Sequence, residues 1–232
     1  MVVGNGLIAT NMKNYLHDNR FLIFASGVSN SSEVSLSAFD RERSLVEEHL
    51  AIANKHNMLF IYFSSCALVD AGHLSIPYYR HKSEIEELIN QQADNFIIFR
   101  LPQLIGKSEN KNTLINYLID KVKTGEYFEL WKNATRYLIE VNDLKIILDA
   151  FLDEKSLVNQ TIDIANPYRY RVEEIVNIIA NFMHKKANYV LVNKKDSYEL
   201  DLKWFLTVCD KKRLNISFGY EYLYRNLQNI IS

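Results

Sequence analysis

The stretch Leu59–Leu101, LFIYFSSCALVDAGHLSIPYYRHKSEIEELINQQADNFIIFRL, decides the fold. It opens on an apolar run, Leu59 to Phe63, short and rich in the aromatic and β-branched side chains that suit a strand buried on both faces. Pro77 stands where a first helical residue belongs, and Ile85, Leu88 and Ile89 repeat behind it at helical spacing. A second apolar run, FIIFRL at Phe96 to Leu101, closes the stretch. Strand, helix, strand is the repeating unit of a parallel sheet covered by helices.

The same grammar extends upstream. FLIFA at Phe21 to Ala25 reads as another buried strand, and RERSLVEEHLAIANKH at 41–56 places Leu45, Val46, His49, Leu50 and Ala53 on one helix face. Beyond Gly106 the texture changes to helices such as Thr113 to Lys123 and Val172 to Met183, with shorter apolar pieces at Tyr137 to Val141 and Tyr189 to Val192. With three Pro spread through 232 residues and no repeat, nothing marks a flexible linker, so both parts are expected to pack as one body.

Nearly half of the residues are apolar and a quarter charged, which supports a core and argues against disorder. A net charge of −1 gives no field to attract nucleic acid or an anionic membrane, and a small-molecule partner is expected instead. No secretory signal and no bilayer-length apolar segment is visible, so a cytoplasmic protein is expected. Cys66 and Cys209 are too few for a disulfide framework, and the six His fall in no metal-ligand spacing, so no metal is expected.

Two motifs carry chemistry. Gly4-Asn5-Gly6-Leu7-Ile8-Ala9 is a GxGxxA between a very short opening strand and a helical segment, where glycines let the backbone turn tightly and approach a pyrophosphate. A plain strand-to-helix turn would use the same residues. The second is Ser64-Ser65-Cys66 at a strand end, followed by Tyr78 and Lys82 on one face of the next helix. An ammonium beside a phenol favours the phenolate, so such a Tyr can exchange a proton with a substrate oxygen that a Ser hydroxyl holds. A half-buried Tyr above a solvated Lys is the bland alternative.

In this order, the glycine turn, the strand ending in Ser-Ser, the YxxxK helix and FIIFRLPQLIG resemble an extended short-chain dehydrogenase/reductase of the NAD-dependent epimerase/dehydratase family that acts on nucleotide-sugars. The resemblance covers most of the chain. It implies an α/β fold with a Rossmann-like parallel sheet flanked by helices: a cofactor domain at 1–106 and a mixed, helix-rich substrate lobe at 107–232. Strands at about 137–141 and 162–165 would return to the main sheet. It implies NAD or NADP along Gly4, Asn5, Gly6, Leu7, Ile8, Ala25, Ser26 and Gly27. Tyr78 would be the acid/base, Lys82 its activator and a cofactor ribose ligand, and Ser65 the anchor of the reacting oxygen. RLPQ at 100–103 places Gln103 on the sugar-nucleotide. RYLIEVNDL at 136–144 resembles the family's stretch whose Arg clamps the substrate diphosphate, here Arg136. The helices at 44–56 and 78–92 match the pair through which the family dimerises, so a homodimer is expected.

The chain also departs from the family. Only residues 10–20 separate Ala9 from Phe21, room for one helix and not for the usual second and third strands, so the Met1 strand should form the sheet edge and the adenosine side of a dinucleotide should lie open. Cys66 and Ala67 replace the Asp-Glu pair of 4,6-dehydratases, which excludes that reaction, and Val69 replaces an aromatic beside the nicotinamide. The expected function is a nucleotide-sugar oxidoreductase or epimerase, of the 4-keto-sugar reductase type, in surface polysaccharide or glycan biosynthesis. The alternative is a sugar-nucleotide-binding pseudoenzyme that has lost its dinucleotide.

Overall fold

The computed structural model describes residues 1–108, 110, 113–152 and 154–231. In chain order the elements are β1 (Val2–Val3), α1 (Leu7–Asn11), β2 (Phe21–Phe24), α2 (Leu36–Lys55), β3 (Leu59–Ser65), α3 (Pro77–Gln92), β4 (Phe96–Leu101), β5 (Gln103–Ile105) and α4 (Leu114–Thr124). They continue with β6 (Phe128–Arg136), β7 (Leu138–Glu140), α5 (Val141–Phe151), β8 (Gln160–Asp163), β9 (Tyr170–Arg171), α6 (Val172–Phe182), β10 (Tyr189–Asp196), α7 (Lys203–Lys211) and α8 (Tyr222–Ile231).

The main sheet has the order β1-β2-β3-β4-β8, all parallel, with β1 at one edge. Alternation along each strand divides its side chains between two cores. Leu22, Phe24, Phe60, Tyr62, Phe96 and Ile98 pack under Val46 and Leu50 of α2 and Ile85 and Ile89 of α3. Phe21, Ile23, Ile61, Phe63, Ile97 and Phe99 point the other way, into a larger core with α5, α6 and α8. Both faces are buried, which is why these strands read as unbroken apolar runs.

On α2 and α3 the buried stripe changes character along the helix. Its first turns bury Glu42, Tyr78, His81 and Lys82, while Val46, Leu50, Ile85 and Ile89 follow. A crossover helix begins where the preceding strand ends, so the polar segment of each stripe lies at the carboxyl end of the sheet, where open α/β sheets bind ligands.

One expectation is corrected. The strand expected at 137–141 is β7, but it pairs in parallel with β5 in a separate two-stranded sheet and does not return to the main one. Glu140, its last residue, turns to cap α5 by accepting from the Asn142 and Asp143 amides at 2.7 and 3.2 Å, which ends the strand. The C-terminal lobe also holds a three-stranded sheet, β10-β6-β9, beside its helices.

Candidate active site

A cleft of about 380 Å³ opens at the carboxyl end of the sheet, within the size range of small-molecule sites. Asn5 to Ile8 line it from the glycine turn, Ala25 to Gly27 from the end of β2, and Ser65 from the end of β3. Tyr78 and Lys82 enter from α3, Gln103 from β5, and Arg136 from the end of β6. Every residue expected from the sequence lines this cleft except Gly4, which forms the turn beneath it.

The glycines have distinct reasons. Gly4 has φ +121°, and a Cβ there would lie 2.4 Å from the Ala25 carbonyl oxygen, so the turn and β2 touch through a position that only glycine fits. A Cβ at Gly6 would meet nothing within 4 Å, which leaves the backbone open to a ligand. At Gly27 a Cβ would lie 2.7 Å from Glu42 Oε1 and 2.8 Å from Lys82 Nζ, so this glycine makes room for the pair beneath it.

That pair is the site's electrostatic centre. Glu42 has no solvent exposure, yet its carboxylate accepts from the Val28 amide (2.7 Å), Tyr62 Oη (2.6 Å), His81 Nε2 (3.1 Å) and Lys82 Nζ (2.8 Å). Burial alone would push this carboxyl up, but the Lys82 charge and the hydrogen bonds from His81, Lys82 and Tyr62 outweigh it and hold the group well below the usual carboxylate range. Lys82 Nζ also donates to Tyr62 Oη at 2.9 Å and lies 5.8 Å from the centre of the Tyr78 ring. Burial, and then the charge on neighbours including Glu42, raises the Tyr78 phenol far above its ordinary value. Tyr78 is therefore a protonated acid in the unliganded chain.

Ser65 Oγ accepts from the Ala67 amide at 3.3 Å, which leaves its own proton for a ligand, while Ser64, also on the cleft wall, has a buried Oγ with no partner among the described residues. Arg136 is engaged. Its Nη2 meets the Asp196 carboxylate and its Nη1 donates to the Asp196 carbonyl at 3.0 Å, while His73 Nε2 lies 3.1 Å from the same carboxylate. Cys66 is buried beside Tyr198, Sγ to Oη 3.3 Å, and burial pushes its thiol up to about 12, which suits a structural thiol and not a nucleophile. Val69 is 46% exposed and outside the cleft wall.

Glu42, Arg41, Asp196 and Tyr198 were not singled out from the sequence. Glu42 had a signal, a charged residue in register with Phe39 and Val46 on the buried stripe of α2. Asp196 and Tyr198 reach the cleft from some sixty residues beyond Arg136, and no local pattern could have placed them. No group of residues able to hold a metal ion occurs among the described residues, and no described helix is long and apolar enough to cross a membrane.

A parallel sheet with helices on both faces and a glycine turn beneath its cleft defines a Rossmann-like fold, and the solved structures it resembles include sugar-nucleotide epimerases and dehydratases. UDP-glucuronic acid 4-epimerase from Bacillus cereus, in complex with UDP-glucuronic acid and NAD, superposes with a TM-score of 0.75 at 14% identity, over 93% of this chain and 75% of that one. UDP-N-acetylglucosamine 4-epimerase from Bacillus cereus gives 0.70 at 18% identity, over 93% and 77%. dTDP-glucose 4,6-dehydratase from Bacillus anthracis, in complex with NAD, gives 0.70 at 14%, over 90% and 72%. No family model matches the chain, and no curated protein matches its sequence.

Proposed function

We propose that this chain is a cytoplasmic nucleotide-sugar oxidoreductase or epimerase, of the 4-keto-sugar reductase type, serving surface polysaccharide or glycan biosynthesis. The observation that carries the reading is the convergence of Ser65, Tyr78 and Lys82 with Gln103 and Arg136 in one cleft beside the glycine turn. The open backbone at Gly6 and the Lys82 ammonium fit a nicotinamide dinucleotide, NAD or NADP, which supplies hydride when bound.

Tyr78, held protonated, gives its phenolic proton to a ketone oxygen as that oxygen becomes an alkoxide. Ser65 donates a hydrogen bond to the same oxygen. The phenolate left behind is stabilised by the Lys82 ammonium and regains its proton from solvent. Arg136 presents a planar fork suited to a diphosphate, which would exchange for the Asp196 carboxylate it now holds. Gln103 would orient the sugar-nucleotide. Asp196 is the single carboxylate among the described residues of the cleft wall and is tied to Arg136, so a dehydratase reaction has no free acid-base pair.

Titration with NAD(H) and NADP(H), with and without UDP-, GDP-, dTDP- and CDP-sugars, tests the reading. Binding of a dinucleotide is expected, with turnover that Tyr78→Phe lowers by about 10²-fold or more. Binding of a sugar-nucleotide alone, with no dinucleotide under any condition, would replace this reading by that of a pseudoenzyme. The commitment of Lys82 to Glu42 is the observation that favours that rival.

A further inference from the structure

The cleft fits half of a dinucleotide better than the whole. We infer that the chain recognises only the nicotinamide mononucleotide half, a pyridine riboside 5′-phosphate, and that Arg41 anchors its phosphate. The inference rests on the proposed function and narrows it.

Three observations carry it. The first is the shape of the sheet. In a doubly wound fold the acidic residue that binds the adenosine ribose follows the glycine turn by about twenty residues, at the end of the next strand outward. Here the corresponding residues are Phe24 to Ser26, at the end of β2, which lies inward of β1, and no described strand lies beyond β1. The segment between α1 and β2 contributes one 3-10 turn, Lys13–Tyr15, which leads straight into β2. The adenosine half has no wall.

The second is the short helix behind the glycine turn. With five residues, α1 aligns too few peptide dipoles to meet a pyrophosphate charge unaided. The charge needs a side-chain partner.

The third is the state of the cations. Among the described residues three basic side chains line the cleft, Arg41, Lys82 and Arg136. Glu42 holds Lys82 at 2.8 Å, and Asp196 holds Arg136. Arg41, exposed in the first turns of α2, makes one hydrogen bond, from Nη2 to the Ser26 carbonyl at 3.3 Å, and no ion pair with a described residue. It shares the cleft wall with Gly6, whose backbone is open, and its guanidinium fork matches phosphate geometry. Sequence spacing gave no hint of this, because Arg41 reads as one more charge on a solvated helix start.

Reduced nicotinamide mononucleotide, NADH and NADPH should therefore bind with dissociation constants within about threefold of one another, a spread worth well under 1.4 kcal/mol. Calorimetry, or quenching of protein fluorescence, with and without a sugar-nucleotide, measures all three. Arg41→Gln should weaken each by about tenfold and reduce the salt dependence of binding, with an unchanged melting temperature. Binding of NADH ten times tighter than the mononucleotide, or a comparable preference between NADH and NADPH, would overturn the inference while leaving the oxidoreductase reading in place. So would an Arg41→Gln protein that binds all three as the parent does. If the parent protein binds none of the three, the oxidoreductase reading falls, and this inference with it.

Discussion

Glu42 is a charged group in the least hospitable place the chain offers. It is tolerable there because four donors satisfy it, and the same four decide how the site behaves. The Lys82 ammonium is paired with this carboxylate, while burial keeps the Tyr78 proton in place, so Tyr78 works as an acid. Removing one partner leaves the other buried and uncompensated. Lys82→Met should therefore lower stability by about 3–5 kcal/mol in denaturant unfolding, and adding Glu42→Gln to it should recover most of the loss. A loss below about 1 kcal/mol would mean that the pair behaves as an exposed one. The pH dependence has a definite sign. Because the folded chain holds this carboxyl below its ordinary value of 4.5, its contribution is present above that pH and drains away as pH falls below it. The acid limb of the stability curve below about pH 4.5 should be shallower in Glu42→Gln than in the parent.

The elements around the cleft differ in how openly the chain announces them. The turn after β1 and the end of β2 meet through Gly4 and Ala25, a contact with no room for a methyl group. Gly4→Ala should cost about 1–3 kcal/mol and weaken nucleotide binding, since it forces both a disfavoured backbone angle and a displaced β2. Gly6→Ala should leave the melting temperature unchanged and weaken binding alone, because its added methyl projects into open space where a ligand's phosphate would lie. Equal loss of stability in the two variants would contradict this division of labour. Both glycines were legible from spacing, as were β2, β3 and β4, whose double burial makes them unbroken apolar runs, and α3, whose start Pro77 marks. β6 was not. Its sequence, FELWKNATR, buries Phe128, Leu130 and Ala134 but interrupts them with Lys132 and Asn133, and its partners Tyr189 and Tyr170 lie far along the chain. β7 was visible as a strand, yet its partner was not, since pairing with Gln103–Ile105 is a fact of tertiary packing. The site divides the same way: Ser65, Tyr78 and Lys82 sit in a recognisable local order, whereas the carboxylates that occupy Lys82 and Arg136 arrive from other elements.

At the scale of the molecule, one core joins the inner sheet face to the C-terminal lobe, and a smaller one lies under α2 and α3. The outward sides of those two helices are where we propose that two copies meet. They carry Asp40, Glu47, Glu48, Glu84 and Glu87 exposed beside exposed Arg41, Lys55 and Arg80, with Arg43 bridging Glu47 and Glu84 at 3.8 Å each. With charges this nearly balanced, the homodimer should appear by light scattering as twice the chain mass at low salt and at about 0.15 M salt alike. A monomer mass throughout would remove the dimer.

The sheet's outer edge has a consequence of another kind. A strand with an unpaired side is a template on which a foreign strand can add, and long flat edges are where folded proteins begin to aggregate. The edge exposed here is β1, two residues long and followed at once by a turn. The chain thus closes this side of its sheet without presenting a long ladder on which a second chain could add.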